Sequence, residues 1–313
     1  MAIKALNQVR FNVCDLDAQE AFAANFGLIT QERTDEYLVM RTQGGDLAAY
    51  VAFKSEKDAF IGAAFEADDT STLDAAIAEH GALELDPSLI PGAARAVELT
   101  DPNGYQVLIV DGVERRVAED IKYSELVLNT PYNIVRRGRK QATRDLGPAR
   151  LWKLGHFAIF VKSYDVTAEW YREKLGIIPS DTFHVPGMPD ARIVGFHRLN
   201  RGDEYVDHHL IAFMQDEETT GCHHISFEVQ DFGAQFRTHR FLKDQDYELV
   251  WGVGRHPEGC HIFDVWKSPA DGTRFETYSD TDQFREADGA HLHDISKTEM
   301  DVWLSDGPER YFI

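Results

Sequence analysis

Two adjacent histidines open the segment GCHHISFEV, residues 221–229. Side chains two positions apart in a β-strand share a face, whereas neighbours point to opposite faces. This alternation predicts that His223 lies with Ile225 on an apolar face, and that His224 lies with Ser226 on a polar one. His224 is therefore the candidate for chemistry, although an isolated histidine at a strand end is more often a surface residue.

The two halves of the chain resemble each other, and each half contains two similar strand and helix segments. The matching pairs are QVRFNVCDLDAQEAFAANFGLI from Gln8 with HFAIFVKSYDVTAEWYREKLGII from His156, IGAAFEADDTSTLDAAIAEHG from Ile61 with CHHISFEVQDFGAQFRTHRFL from Cys222, and DPNGYQVLIVD from Asp101 with SPADGTRFETYSD from Ser268. The first pair reads as a strand, a turn and an amphipathic helix that ends at Gly27 or Gly176. The sequence predicts an α+β fold of four βαβββ modules, two in each half.

The repeat provides an internal control for candidate metal ligands. The second half has His156, His224 and Glu276 where the first half has Gln8, Gly62 and Leu108. If these histidines only filled or capped strands, similar residues would be expected in both copies. Two imidazoles and one carboxylate beside open positions are what a non-haem Fe(II) site uses to hold a substrate and O₂ together. The absence of thiolates argues against structural zinc, and Mn(II) is the alternative metal.

The order and spacing of five polar residues resemble the type I extradiol catechol dioxygenases of the vicinal oxygen chelate superfamily. The stretches that carry the resemblance are LGHFAIFV with His156, DHHLIAF with His209, CHHISFEV with His224, and GVGRHPEGCHIFDVWKSPADGTRFETYSD with His256 and Glu276. The module pattern behind it covers most of residues 5–280. The resemblance implies two tandem domains, in each of which a sheet curls into a cup or incomplete barrel.

The resemblance also implies a reaction and a set of roles. His156, His224 and Glu276 are the implied Fe(II) ligands. His209 is the implied acid/base, and His256 the residue that hydrogen-bonds the bound substrate. The implied reaction inserts both atoms of O₂ into a substituted aromatic diol next to the diol carbons. Its product is of the hydroxymuconic semialdehyde type.

One position departs from that family, which usually has a tyrosine on the strand before the ligand glutamate. Nine residues on from His256 stands Val265, and ten residues back from Glu276 stands Trp266. An extra residue in the turn SPADG accounts for the difference of one, because turns absorb insertions that strand pairing resists. We predict that Val265, Trp266 and Tyr278 line the substrate site, with space beside Val265 for a ring substituent.

The composition limits the partners and the compartment. The 313 residues include 53 acidic and 32 basic side chains, and the net charge of -21 argues against nucleic acid as a general partner. No apolar run approaches the length of a membrane span, and the start MAIKALNQVR lacks the apolar core of a signal peptide. Three scattered cysteines predict neither a disulfide framework nor a zinc site. We expect a cytoplasmic protein without a membrane partner.

Three segments are predicted along the chain. Residues 1–140 form an N-terminal domain without metal ligands, residues 141–285 form the catalytic metal-binding domain, and residues 286–313 form a tail. Within the tail, Ser296 and Glu299 have the spacing of a capping box, which predicts a short helix. We expect this helix to cover the cup or to pack against another subunit of a homo-oligomer.

Two other functions fit the same scaffold. A glyoxalase-like isomerase gathers four ligands from two modules and does not need His209 and His256. A non-catalytic binding protein of the bleomycin-resistance kind has little use for a complete ligand set. Several further histidines match no ligand position, and we predict loop, surface or packing roles for His184, His197, His208, His223 and His261.

Overall fold

Two large β-sheets dominate the computed structural model, which describes residues 3–118, 129–138 and 147–305. The first half consists of β1 (Ile3–Val13), α1 (Leu16–Phe26), β2 (Ile29–Arg33), β3 (Tyr37–Arg41), β4 (Tyr50–Lys54), β5 (Ala59–Ala67), α2 (Thr70–His80), β6 (Leu83–Leu85), a 3₁₀ turn (Pro87–Leu89), β7 (Arg95–Thr100) and β8 (Gln106–Asp111). Each βαβββ module consists of one strand, one helix and three further strands.

The second half repeats this order and adds short elements at its end. It consists of β9 (Leu151–Val161), α3 (Tyr164–Leu175), β10 (Ile177–Val185), β11 (Met188–Leu199), β12 (Val206–Asp207), β13 (Ile211–Gln215), β14 (Gly221–Val229), α4 (Phe232–Asp244), β15 (Glu248–Arg255), β16 (Ile262–Lys267), β17 (Arg274–Ser279), β18 (Gln283–Phe284), a 3₁₀ turn (Glu286–Asp288), β19 (His291–Asp294), a 3₁₀ turn (Ile295–Lys297) and β20 (Trp303–Leu304). The predicted α+β fold of four modules is confirmed.

The helices begin and end where local chemistry predicts. Asp15 caps α1 by accepting a hydrogen bond from the backbone N–H of Ala18, which satisfies one of the donors that a helix start leaves free. Gly27 and Gly176 follow α1 and α3 with φ angles of 124° and 72°. Residues with a Cβ rarely adopt such angles, so glycine ends both helices as predicted.

The two sheets share one topology. The first has the strand order β2-β3-β4-β1-β5-β8-β7-β6. The second has the equivalent order β10-β11-β13-β9-β14-β17-β16-β15, with β19 and β20 added at its two edges. In each sheet the first strands of the two modules pair antiparallel at the centre. Both sheets are open, as the predicted cups or incomplete barrels require.

Strand register confirms the residue correspondences between the halves. Ser226 on β14 pairs with both His156 on β9 and Glu276 on β17. In the first sheet Ala64 pairs in the same way with Gln8 and Leu108. His224 pairs with Ala158 where Gly62 pairs with Arg10. The three candidate ligands and their counterparts therefore occupy the same places in two copies of one sheet.

A shared core joins the halves and leaves one face of the second sheet available. Phe22 and Phe26 of α1 pack edge-on against Phe275 of β17, with ring centroids 5.1 and 5.4 Å apart. Phe227 of β14 belongs to the same buried cluster. Because side chains alternate along a strand, Glu276 must point to the opposite, concave face. Packing between the halves thus orients the candidate ligands into the cup.

The tail extends the second sheet at both edges instead of forming the predicted helix. Residues of β19 pair with β10, and those of β20 pair with β15. Asp294 caps a single 3₁₀ turn by accepting from the backbone N–H of Ser296, so Ser296 is not the cap residue. The predicted boundary between residues 140 and 141 lies outside the described residues. No helix in the described ranges is long and apolar enough to cross a membrane.

Candidate metal centre

The candidate ligands lie on three adjacent strands at the centre of the second sheet. His156 and Glu276 are each 2% exposed, and His156 Nε2 lies 3.1 Å from Glu276 Oε1. Ser226, on the strand between them, donates a hydrogen bond of 2.6 Å to the same carboxylate oxygen. His224 is two residues away from Ser226, and its ring centroid lies 5.4 Å from that of His156. The three predicted ligands are therefore neighbours on the concave face.

His261 lies among the candidate ligands, although we predicted for it only a loop, surface or packing role. The ligand atoms of His156, His261 and Glu276 all lie within 4.8 Å of one another, and this set does not include His224. Among the described residues, neither buried ring nitrogen of His261 has a hydrogen-bond partner. The internal repeat holds the signal that could have found this residue, because the register of β16 and β17 makes Ala94 its counterpart in the first half.

A β-bulge corrects the predicted facing of His223. Cys222 pairs with Ile159 and His224 pairs with Ala158, so His223 is an extra residue in β14. A bulge breaks the alternation of faces. His223 therefore lies on the concave side with His224, and their Nδ1 atoms are 2.7 Å apart. The prediction of an apolar face for His223 is wrong.

The His223 contact determines what His224 can offer. If His224 Nδ1–H donates to His223 Nδ1, the Nε2 atom of His224 carries the lone pair that a metal requires. Histidine ligands commonly donate their second ring N–H to such a partner. His223 can thus orient His224 and fix its tautomer.

The electrostatics of the group suit a cation. Burial acts to raise the pKa of Glu276, but the neighbouring imidazoles, led by His224 and His156, hold that pKa well below its ordinary value. Burial lowers the pKa of His224 to about 3, so its imidazole is neutral near pH 7. Metals bind neutral imidazoles and ionised carboxylates. The Nε2 atoms of His156 and His261 lie 3.1 and 3.7 Å from Glu276 Oε1, and the donor set therefore fits a divalent metal.

His209 lies directly beside the group. It is 4% exposed, and its ring centroid is 4.2 Å from that of His156 and 4.9 Å from that of Phe196. Its Nδ1 lies 3.0 Å from His208 Nδ1. Burial lowers the pKa of His209 well below its ordinary value. A neutral imidazole with one nitrogen turned away from His208 is equipped to move a proton.

His256 lies on the other side of the cup. Its Nδ1–H donates to the backbone carbonyl of Met300 at 2.8 Å, and its ring stacks on Phe263 with centroids 4.1 Å apart. Its centroid is 4.8 Å from that of His261. Because Nδ1 is occupied, Nε2 is the nitrogen that can contact a bound ligand.

A cavity of about 350 Å³ lies beside residues that contact the candidate ligands. It is lined by His223, which contacts His224, and by His256, which contacts His261, but by none of the candidate ligands themselves. Its lining is mostly apolar and comes from both modules and the tail: Phe160, Phe183, Ile193, Val194, Phe196, Met214, Gln215, Asp216, His223, His256, Glu258, Arg274, Ile295 and Met300. A volume of this size and an apolar wall with a few polar groups are typical of small-molecule sites. Arg274 shares the strand face of Glu276 and brings a positive charge to the cavity.

The three predicted substrate-binding residues do not line this cavity. Trp266 is fully buried on the opposite face of β16, where its indole N–H donates to Asp264 and its ring joins the core. Val265 pairs with Glu276 and shares its face, but it packs in a cluster with Trp251 and Phe263. The structure thus places Trp266 away from the cup and fills the space predicted beside Val265.

Tyr278 lies next to His156, one of the candidate ligands. Its ring centroid is 5.2 Å from that of His156, and its hydroxyl donates to Asp207 at 3.4 Å. A Cβ on Gly155 would lie only 2.2 Å from this ring, so glycine is required there. Tyr278 is 2% exposed, and its contacts favour a role in holding His156.

Comparisons with known proteins agree with this architecture. Residues 153–277 match the family described as the Glyoxalase/Bleomycin resistance protein/Dioxygenase superfamily. The sequence matches no curated protein significantly. An extradiol ring-cleaving dioxygenase from B. fuscum superposes with a TM-score of 0.79 at 15% identity, over 98% of this chain and 80% of that one. The chain has the vicinal oxygen chelate fold.

Two other structures with the vicinal oxygen chelate fold are similar. The Mn(II)-bound glyoxalase from Novosphingobium aromaticivorans has a TM-score of 0.78 at 19% identity, covering 98% of this chain and 93% of that one. The 2,3-dioxygenase LapB from Pseudomonas sp. KL28 has a TM-score of 0.75 at 16% identity, covering 95% and 99%. At these identities the similarity establishes the fold, and the site must decide the chemistry.

Proposed function

We propose that this protein is a metal-dependent extradiol dioxygenase that opens the ring of a substituted aromatic diol. The observation that carries the proposal is the buried group of His156, Glu276 and further imidazoles beside a cavity with aromatic and aliphatic walls. His209 and His256 flank that group on two sides. The reaction adds both atoms of one O₂ molecule to the diol, and no other reactant is needed.

The metal in this proposal is Fe(II), held by His156, His224 and Glu276. When bound, Fe(II) lowers the pKa of the diol hydroxyls and brings the diol and O₂ together, and Mn(II) suits the same donors. His223 orients His224 from behind, and Ser226 holds one oxygen of Glu276.

The two flanking histidines then handle the protons of the diol. His209 Nε2 accepts the proton from one diol hydroxyl and returns it to an oxygen atom as the ring opens. His256, fixed through Met300, accepts a hydrogen bond from the second hydroxyl at its Nε2. The cavity walls, with Phe160, Phe196 and Met214 among them, cover the ring and exclude water from the site.

A metal-dependent isomerase of the glyoxalase kind is the second candidate. The observation in its favour is the TM-score of 0.78 with the Mn(II)-bound glyoxalase, close to the value for the extradiol enzyme. A fourth protein ligand would also suit it, and His261 is placed to be one. An isomerase consumes no O₂, which separates the two functions.

A panel of substituted catechols, trihydroxybenzenes, hydroquinones and bicyclic diols tests the proposal. The purified protein is loaded with Fe(II) without air, and O₂ uptake is measured with the absorbance of the ring-opened product. We expect one O₂ consumed per diol, with both atoms of ¹⁸O₂ in the product. Isomerisation of a glutathione hemithioacetal without O₂ uptake on any diol would support the isomerase instead.

A further inference from the structure

A line of buried polar side chains leads from His209 away from the cup. His209 Nδ1 lies 3.0 Å from His208 Nδ1, and His208 Nε2 lies 2.6 Å from Asp181 Oδ2. The other oxygen of Asp181 accepts a hydrogen bond of 2.5 Å from Nε2 of His293. His293 belongs to β19, the tail strand that pairs with β10. The line therefore ends at the edge of the sheet that the tail completes.

These hydrogen bonds determine which nitrogens carry protons. An ionised carboxylate can only accept, so His208 Nε2 donates to Asp181. If this is the one N–H that His208 carries, its Nδ1 accepts a hydrogen bond from His209 Nδ1–H. The Nε2 atom of His209 is then left with a lone pair. That tautomer is the one a proton acceptor in the cup requires.

The surroundings keep Asp181 ionised and His208 in place. Burial acts to raise the pKa of Asp181, but hydrogen bonds from His208 and His293 keep that pKa below its ordinary value. His208 is fully buried, and a Cβ on Gly259 would lie 2.6 Å from its Nδ1. The Phe284 ring lies edge-on to His208 with centroids 5.1 Å apart. His208 therefore has little freedom to turn away from His209.

We propose that Asp181 and His208 are positioning residues that fix the orientation and the tautomer of His209 for proton transfer. This inference rests on the proposed dioxygenase function, in which His209 Nε2 accepts the diol proton. Asp181 touches neither substrate nor metal in this arrangement and acts only through His208. A purely structural role, in which Asp181 joins the tail strand to the sheet through His293, is the alternative.

The test begins with Asp181→Asn in the Fe(II)-loaded protein. The amide keeps the shape of the carboxylate but can donate a hydrogen bond, which favours the wrong tautomer of His208. We expect kcat to fall by about 10²-fold, while iron content and the KM for the diol change by less than about 3-fold. His208→Phe, which keeps a ring without nitrogens, is expected to cause a similar loss.

A double-mutant cycle with His209→Asn separates positioning from structure. If Asp181 acts only through His209, Asp181→Asn lowers kcat no further in a His209→Asn background, within about 2-fold. A structural role predicts instead that the two losses multiply. The thermal midpoint of Asp181→Asn should fall in the structural case and stay close to wild type in the positioning case.

Asp264→Asn is the matched control. Asp264 is a buried carboxylate that accepts from His239 at 2.9 Å on the face of β16 away from the cup. We expect its kcat to match wild type. Multiplicative losses in the cycle, or an Asp181→Asn kcat equal to wild type, would overturn the positioning role. If the wild-type protein itself opens no diol, the proposed function fails. That result can be told apart from the two outcomes that overturn the positioning role.

If Asp181→Asn does not fold, His208→Phe takes its place in the cycle with His209→Asn. The same two outcomes decide the proposal, because His208 is the only link between Asp181 and His209 in this line. A His208→Phe protein with wild-type kcat would overturn it.

Discussion

The two sheets of this protein have the same topology and register but different chemistry at equivalent places. In the second sheet, Ser226 stands between His156 and Glu276. In the first, Ala64 and Leu108 pack with Ile90 in a small apolar cluster. One backbone thus supports either a cluster of candidate metal ligands or a small apolar cluster, and the side chains alone decide which.

The distribution of histidines follows the same division. Of the 13 histidines in the sequence, His80 is the only one in the first half. Burial lowers the pKa of several in the second half, including His197 and His224, each to about 3. A buried imidazole that stays neutral lowers the stability of the folded protein at acidic pH, because the unfolded chain takes up a proton that the folded protein does not. The neutral form is also the one that binds a metal.

The largest expected effect is that of Glu276→Gln. The amide keeps the shape and the contact with Ser226 but removes the charge that balances the metal. We expect loss of both bound iron and turnover, measured by metal analysis and O₂ uptake. Glu228→Gln, at a half-buried carboxylate on β14 that pairs with Lys153, is the control and should retain both. Full iron and activity in Glu276→Gln would remove the basis for contrasting the two sheets.

A smaller effect is expected for His209→Asn. Because His209 is proposed to move a proton and not to bind the metal, iron should stay bound while kcat falls by about 10² to 10⁴. Metal analysis and steady-state kinetics on the same preparation check this. Loss of iron would show instead that His209 is a ligand.

His224 and His261 can be told apart by their effects on metal affinity. We expect His224→Ala to lose the metal, and His261→Ala to weaken binding by about 10- to 100-fold, the usual effect of residues around the ligands. Competition with a chromophoric chelator measures both. The opposite ranking would make His261 the third ligand and would favour the isomerase reading of the site.

The smallest expected effect concerns acid stability. Register makes Met40 the first-sheet counterpart of His197, so His197→Met gives both sheets the same residue. The pKa of His197 is about 3 in the folded protein, below its ordinary value of 6.5. The free energy of unfolding therefore falls as the pH falls below 6.5, because the unfolded chain then binds a proton that the folded protein does not. Between pH 7 and pH 5 this loss amounts to roughly 2 kcal/mol. Urea unfolding of the metal-free protein should show a weaker pH dependence in His197→Met, and an unchanged one would contradict the argument.

The sequence was sufficient for the fold because the fold follows from local periodicity and an internal repeat. The same repeat singled out His156, His224 and Glu276, whose role as metal ligands stays a prediction. It was not sufficient for His223, since a bulge depends on how β9 and β14 pair and leaves no mark in a single strand. The role proposed for His208 depends on Asp181, which lies 27 residues earlier on β10. Trp266 was misplaced because neighbouring side chains of a strand point to opposite faces, so Val265 and Trp266 could not both face the cup. The register of β16 with β17 decides between them, since it places Val265 on the face of Glu276.

The most direct test of the account is an exchange of residues between the two sheets. His156→Gln gives the second sheet the residue of the first, and Gln8→His makes the reverse change. After anaerobic loading with Fe(II) and removal of excess metal, iron is counted per chain. We predict one iron in wild type, one in Gln8→His and none in His156→Gln. Iron retained in His156→Gln, or none in wild type, would contradict the assignment of the metal to the second sheet.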